Sequence, residues 1–148
     1  MTDFAGVIAK YGKYVGAPDG RSMQPMLRSR RDAVVLVAPH FPLKKYDVIL
    51  YRRASGQYVL HRVISVKNGY VICGDRLWRK EYGIRDENVI GVAEGFFRDK
   101  KYVPCTNRGY RLYCRVWCAL RPMRSLVFHL KVYGKALLRK LGIHGNKD

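Results

Sequence analysis

Two segments of the chain carry residue types that together can perform nucleophilic catalysis. Residues 20–27 place Ser22 on a glycine-containing turn, and residues 60–63 place His61 within a strand-like run. A serine hydroxyl is a poor nucleophile until a neighbouring base takes its proton. An imidazole held on a strand is a suitable base, because burial can adjust its pKa. These residues predict a Ser–His pair. The alternative is that His61 is a core histidine bonded to a backbone carbonyl.

A carboxylate is the usual third member of such a site, because it orients the imidazole. Asp75 follows the strand-like run 70–73, which is expected to form a hairpin with the strand that carries His61. Glu81 is the next acid along the chain and is expected on a loop. The sequence leaves the choice between Asp75 and Glu81 open, and either residue can instead be an ordinary surface carboxylate.

The elements that must position these residues follow from the spacing of the apolar side chains. A short N-terminal helix is predicted, whose apolar face consists of Phe4, Val7, Ile8, Tyr11 and Val15. Strands are then predicted in close succession, at residues 33–38, 47–51, 57–66, 70–73, 89–97 and 101–105. Strands this close together, with no helix between them, are typical of a compact antiparallel β domain.

The C-terminal part of the chain has a different pattern. Apolar residues recur every four positions from Leu112, and helical spacing resumes beyond Pro122. Residues 100–147 contain twelve Lys and Arg and no acid. We therefore predict a β domain over residues 1–106 and a basic, amphipathic helical tail over residues 107–148.

The charge of the whole chain limits its partners. The 148 residues include 29 Lys and Arg against 11 Asp and Glu, a formal net charge of +18. A field of this strength favours polyanions, either an anionic membrane surface or nucleic acid. No zinc-finger, helix-turn-helix or RNP-like signature is present, so we expect the tail to lie on anionic lipid. The alternative is that Leu126, Leu130 and Leu137 pack on the β domain.

Neither a metal nor another cofactor is expected. The four cysteines, Cys73, Cys105, Cys114 and Cys118, lack the spacing of a zinc site, and free thiols are typical of a reducing compartment. The first 16 residues contain one acid and two lysines, unlike a secretory signal, and no apolar run approaches the ~20 residues that span a bilayer. We expect a cytoplasmic protein, with peripheral attachment to the cytoplasmic face of a membrane as a further possibility.

Five segments, taken in order, resemble the conserved boxes of the type I signal peptidases and of the related SOS-repressor peptidases. They are residues 20–27 (GRSMQPML), 46–49 (YDVI), 60–64 (LHRVI), 74–75 (GD) and 89–92 (VIGV). The resemblance covers residues 16–97. It implies a mainly β, signal-peptidase-like fold, which is a twisted antiparallel sheet or partial barrel.

The resemblance also implies roles for individual residues. Ser22 stands at the position of the nucleophile, and His61 stands where bacterial members have a lysine base, as in the archaeal and endoplasmic-reticulum branch. That branch has an aspartate beyond the Gly-Asp box, and the corresponding residue here is Glu81. Gly20 replaces a residue that supplies an oxyanion hydroxyl in some members, so the backbone of Gly20 and the Ser22 N–H would serve instead. Met23, in the same box, is assigned to the oxyanion and substrate site.

The function implied is that of a serine endopeptidase. Its expected substrates are leader-like or signal-like peptides, bound as an extended strand along the sheet edge and cut after small residues. Two alternatives remain, a non-catalytic relative and a nucleic-acid-binding or membrane-surface-binding module of the same fold.

Overall fold

The computed structural model describes residues 3–140 and contains the predicted antiparallel sheet. A short helix, α1, spans Phe4–Tyr11 and precedes the strands. The strands are β1 (Lys13–Gly16), β2 (Ala33–Val37), β3 (Val48–Arg52), β4 (Tyr58–Ser65), β5 (Tyr70–Cys73), β6 (Glu81–Ile84), β7 (Val89–Arg98) and β8 (Lys101–Pro104). Every strand pair is antiparallel, so the prediction of a mainly β, antiparallel domain with a short N-terminal helix is confirmed.

Strand β1 corrects the prediction for the N-terminus. The predicted helical face extended to Val15, but α1 ends at Tyr11 because Gly12 adopts a left-handed conformation with φ +74°. The chain then turns into β1, where Val15 pairs with Val35 of β2. A run with apolar residues at helical spacing was therefore split between a helix and a strand by one glycine.

Strand β6 corrects the prediction for Glu81. This residue is not on a loop but begins β6, where it pairs with Ile72 of β5. The segment is hard to recognise as a strand because it is short, contains Gly83 and leaves Tyr82 exposed. A strand at the edge of a sheet does not need the apolar alternation of a central strand.

The strand order is β1-β2-β7-β3-β4-β5-β6, with β8 beside β7. The long strand β7 pairs with β3 near its start, through Val92 and Ile49, and with β8 near its end, through Phe96 and Val103. Strand β4, which carries His61, lies between β3 and β5. Hydrogen bonds on both edges of β4 therefore hold the imidazole on a rigid element.

Side-chain alternation along the strands produces two apolar clusters on opposite faces of the sheet. In β3, Val48 and Leu50 belong to one cluster, whereas Ile49 and Tyr51 belong to the other. The first cluster also contains buried residues from α1 and from the serine-bearing loop. The serine loop is thus fixed by the same core that the strands form.

Two helices follow the sheet, α2 (Arg108–Ala119) and α3 (Arg121–Lys140). The chain divides into two compact units, residues 1–118 and residues 119–148. Helix α2, assigned to the tail from the sequence, therefore belongs almost entirely to the unit that contains the sheet. The physical reason is that Tyr110 and Cys114 are buried against the first cluster.

The second unit contains α3, on which Leu126 and Leu130 are exposed. The side chain of Leu137 and residues 141–148 of the predicted tail lie outside the described part of the chain. Within residues 3–140, no helix combines the length and the hydropathy that crossing a bilayer requires.

Candidate active site

The loop that carries Ser22 lies between β1 and β2 and is fixed at several points. Met23, Met26 and Leu27 are buried in the first apolar cluster. At the end of the loop, the buried carboxylate of Asp32 accepts hydrogen bonds from the backbone N–H and the guanidinium of Arg28. Ser22 itself is half-buried. Apolar anchors next to a half-exposed serine give a hydroxyl with a defined position and access from solvent.

His61 lies in β4, directly opposite Ile49 of β3, and only 2% of its surface is exposed. It shares its face of the strand with the buried Val59 and Val63, as predicted from alternation. Its Nδ1 atom lies 3.1 Å from a carboxylate oxygen of Glu81 and 3.3 Å from the hydroxyl of Tyr51. The polar partners of Nδ1 are therefore side chains and not the backbone carbonyl of the alternative interpretation.

The contact with Glu81 favours one tautomer of His61. An ionised carboxylate can only accept hydrogen bonds, so the neutral imidazole carries its proton on Nδ1 when it bonds to Glu81. The Nε2 atom is then left as a proton acceptor. Burial lowers the pKa of His61 below its ordinary value, and the negative charge of Glu81 only partly offsets this effect. A neutral imidazole with a free Nε2 lone pair is the form that a general base requires.

Glu81 is held as a carboxylate by its own partners. Burial alone would raise its pKa, but hydrogen bonds from Arg53 and Tyr51 outweigh burial and hold the pKa below its ordinary value. Arg53 donates from Nε at 2.9 Å to one oxygen and from its terminal nitrogen to the other. Burial raises the pKa of Tyr51, and the adjacent Glu81 raises it further, so Tyr51 remains a phenol. The result is a chain of polar contacts, Arg53–Glu81–His61.

Gly74 is the point at which the serine loop and His61 meet. A Cβ atom added to Gly74 would lie 2.7 Å from the carbonyl oxygen of Ser22 and 3.1 Å from Nε2 of His61. Only a residue without a side chain fits between them. The turn that follows Gly74 is joined to the serine loop, because the N–H of Arg76 donates to the same Ser22 carbonyl at 2.8 Å. The Nε2–Cδ2 edge of the imidazole and the backbone carbonyl of Ser22 therefore both lie close to Gly74.

No direct hydrogen bond joins the Ser22 hydroxyl to His61 among the described residues, and the bonds of the imidazole run to Tyr51 and Glu81. Catalytic hydrogen bonds are often long in a protein without substrate and shorten in the complex.

Asp75 lies beside the site but has a different partner. Its carboxylate accepts two hydrogen bonds from the guanidinium of Arg62, at 2.7 and 2.8 Å, and one from the hydroxyl of Tyr113 at 3.2 Å. The backbone carbonyl of Asp75 accepts a bond from Trp117. Both Asp75 and Arg62 are buried. Of the two carboxylates left open by the sequence, Glu81 is the one in contact with the imidazole, and Asp75 joins β4 and β5 to helix α2.

The backbone around the serine offers donors for a developing oxyanion. Within the described residues, no backbone bond is donated by the N–H of Ser22 or Met23, whereas the N–H of Gln24 donates to Arg21. Gly20 is exposed and leaves the approach to these groups open. The side chain of Met23 is buried in the core, so any contribution of Met23 to an oxyanion site comes from its backbone.

A groove of about 680 Å³ leads to the site. Ser22 and His61 line it together with Gly20 and Met23, so these four predicted residues reach one cavity. Its remaining wall is largely apolar and includes the following side chains: Phe4, Tyr14, Val34, Leu36, Leu50, Tyr58 and Leu60. The volume is in the range of sites that hold a small ligand or a few residues of a peptide.

Sequence reasoning missed two residues that support the site. Tyr51 is diagonally opposite His61 in the β3–β4 pair, and the strand alternation already carried this signal. Arg53 lies just beyond the end of β3, and nothing in the sequence indicates its pairing with Glu81. Within the described residues, no group of three or more His, Cys, Asp or Glu is arranged to hold a metal ion.

Comparisons with known proteins add no assignment, since no family model, curated protein or solved structure gave a significant match to this chain.

Proposed function

We propose that this protein is a serine endopeptidase in which Ser22 is the nucleophile, His61 is the general base and Glu81 orients the imidazole. One observation carries the proposal. The Nδ1 atom of the buried His61 lies 3.1 Å from a carboxylate oxygen of Glu81, the Nε2 edge of the ring and the Ser22 carbonyl both lie against Gly74, and Ser22 and His61 line one open groove. This is the relation between nucleophile, base and orienting group that acyl transfer requires.

The reaction follows from these positions. The Ser22 hydroxyl attacks the carbonyl carbon of the scissile peptide bond as Nε2 of His61 takes its proton. The imidazolium that forms is stabilised by the Glu81 carboxylate, and the oxyanion accepts hydrogen bonds from the N–H groups of Ser22 and Met23. His61 then protonates the departing amine, which leaves an ester on Ser22. A water molecule, deprotonated by His61, hydrolyses the ester and restores the serine.

The substrate is proposed to bind as an extended peptide. Strand β1 lies at one end of the strand order, and its residues Tyr14 and Gly16 line the groove. A terminal strand presents backbone groups with which an extended peptide can pair. Gly20 has no side chain and leaves the approach to Ser22 open, and the resemblance to the signal peptidases implies a small residue before the cut. Leader-like or signal-like peptides fit this description.

We also propose that the sheet has the signal-peptidase-like fold. The boxes that resemble this family occupy the serine loop, the start of β3, the middle of β4, the turn after β5 and the start of β7. Strands β7, β3, β4 and β5 are consecutive in the sheet. Scattered segments of the sequence therefore converge on one region, which supports the proposal.

Four free thiols also favour a reducing compartment, such as the cytoplasmic side of a membrane.

Cleavage of peptides that contain an Ala-x-Ala site tests the proposal. We expect hydrolysis by the natural protein, none above background by Ser22→Ala, and a loss of several orders of magnitude in His61→Ala. Ser55→Ala is the matched control, since Ser55 is exposed on the β3–β4 turn and does not line the groove at Ser22. Hydrolysis that survives Ser22→Ala, or the absence of hydrolysis in all peptides and proteins tried, overturns the assignment and favours a non-catalytic relative of the fold.

A further inference from the structure

A second groove, of about 480 Å³, lies between α2 and the segment that leads into β3. It shares no lining residue with the groove at Ser22. Four basic side chains line it, Lys44 and Lys45 from the segment before β3 and Arg111 and Arg115 from α2. All four residues are exposed. Within the described residues, none of the four forms an ion pair with a carboxylate.

One carboxylate, that of Asp47, also lines the groove. It accepts a hydrogen bond from the backbone N–H of Lys44 at 2.7 Å and lies 3.8 Å from Nε2 of His40. Four cations therefore converge on a concave site against one carboxylate that already has partners. Such a site attracts a compact anion such as a phosphate group.

Helix α2 gives this site a neighbouring apolar surface. One face of the helix is fixed to the sheet, because Tyr110 and Cys114 are buried and contact Arg62. Arg111 and Arg115, one turn apart, face the groove. On the next stripe around the helix, Leu112 and Val116 are 62% and 48% exposed. A rigid helix thus presents a basic stripe and an apolar stripe side by side.

We propose that the basic groove and the exposed stripe of α2 form a docking surface for an anionic phospholipid membrane. A lipid phosphate enters the groove between the lysines and arginines, and the side chains of Leu112 and Val116 enter the boundary between headgroups and acyl chains. The apolar stripe favours lipid over nucleic acid, since a phosphate backbone offers nothing to cover aliphatic side chains. From the sequence, we expect the whole tail, residues 107–148, to bind lipid. The surface proposed here instead lies in the unit that contains the sheet.

The test uses the full chain and vesicles made either of phosphatidylglycerol with phosphatidylcholine or of phosphatidylcholine alone. The pocket variant replaces Lys44, Lys45, Arg111 and Arg115 by Gln. A charge-matched control replaces four exposed lysines outside the groove, which are Lys10, Lys13, Lys67 and Lys101. Each basic residue near an anionic surface strengthens binding about fivefold. We expect the pocket variant to bind phosphatidylglycerol vesicles at least tenfold more weakly than the control.

The apolar stripe is tested with Leu112→Ser/Val116→Ser, and the control is Val66→Ser/Tyr82→Ser at other exposed positions. We expect the first variant alone to lose vesicle binding, while its binding to duplex DNA stays equal to that of the control. Equal losses in the pocket variant and its control, or equal binding to pure phosphatidylcholine, overturn the proposal. So does a pocket variant that loses binding to duplex DNA but keeps binding to vesicles.

A measurement on the unaltered protein does not depend on how the variants fold. Acetylation of lysine amines is followed by mass spectrometry with and without phosphatidylglycerol vesicles. Protection of Lys44 and Lys45, with Lys67 unchanged, is the expected result. Uniform protection of all lysines, or none, contradicts docking through this groove.

Discussion

The different partners of Asp75 and Glu81 lead to opposite expectations for two conservative substitutions. Asp75→Asn removes the charge that pairs with Arg62, whose side chain is fully buried. Glu81→Gln removes the charge that contacts His61. If Asp75 supports the fold and Glu81 supports catalysis, the first variant loses stability and the second loses activity.

The structure sets the size of each effect. Breaking a buried ion pair by removing one partner leaves an uncompensated charge and costs about 3–5 kcal/mol. With an m-value of about 2 kcal/mol/M, the urea midpoint of Asp75→Asn falls by about 2 M. Glu81 and Arg53 are partly exposed, so the loss of their pairing costs about 1 kcal/mol or less. In Glu81→Gln, however, the amide can donate to Nδ1 and place the imidazole proton on Nε2, which lowers kcat by about 10²–10⁴.

Urea unfolding, followed by circular dichroism, and peptide hydrolysis at low temperature measure both effects in both variants. Asp75→Asn should retain kcat within about tenfold while it is folded. The double variant Arg62→Met/Asp75→Asn should recover part of the lost stability, because it removes the unpaired charge. An Asp75→Asn protein with an unchanged midpoint and no activity, beside a fully active Glu81→Gln, would falsify the assignment of the two carboxylates.

Three further predictions follow from the same contacts. The acid limb of kcat/KM should lie below pH ~6.5, because the pKa of His61 is lowered and only the neutral imidazole is a base. Glu81→Gln should move this limb to still lower pH, because the negative charge of Glu81 raises the pKa of His61. A limb at or above pH ~6.5 in the natural protein contradicts this prediction. Gly74→Ala should reduce kcat/KM at least a hundredfold, since its Cβ would lie 2.7 Å from the Ser22 carbonyl. Gly134→Ala is the control and should leave kcat/KM unchanged, because nothing lies within 4 Å of its added Cβ. Equal activities of the two variants contradict the close contact at Gly74. A chain ending at residue 118 should unfold in urea near the midpoint of the full chain, because it keeps the whole unit that contains the sheet. It should bind phosphatidylglycerol vesicles more weakly, because it lacks the basic residues of the second unit. Unchanged vesicle binding would show that residues 119–148 do not contribute.

The sequence was informative wherever a run of side chains had one periodicity. Strands β2 to β5, β7 and β8 were predicted within one or two residues of their ends, because their apolar runs are bounded by turns. The placement of His61 between Val59 and Val63 followed from the same alternation. These features depend on local chemistry, which a sequence displays directly.

The features that sequence reasoning missed depend on contacts between distant residues. The choice between Asp75 and Glu81 required the knowledge that Arg62, on the opposite face of β4 from His61, faces Asp75. His61 and Arg62 are adjacent in β4, yet they contact carboxylates from different segments. Arg62 also contacts Tyr110 and Cys114, which is why α2 belongs with the sheet despite its basic composition. Neither contact has a signature in the local sequence.

The central claim, that Ser22 is a nucleophile activated by His61, is tested most directly by trapping the acyl-enzyme. The protein is mixed with the p-nitrophenyl ester of a short acetylated peptide, quenched with acid within the burst phase, digested and mapped by mass spectrometry. We expect the mass of the acyl group on the peptide that contains Ser22, its absence in Ser22→Ala, and a greatly reduced yield in His61→Ala. An acyl group on another residue, or on Ser22 with equal yield in His61→Ala, would contradict it.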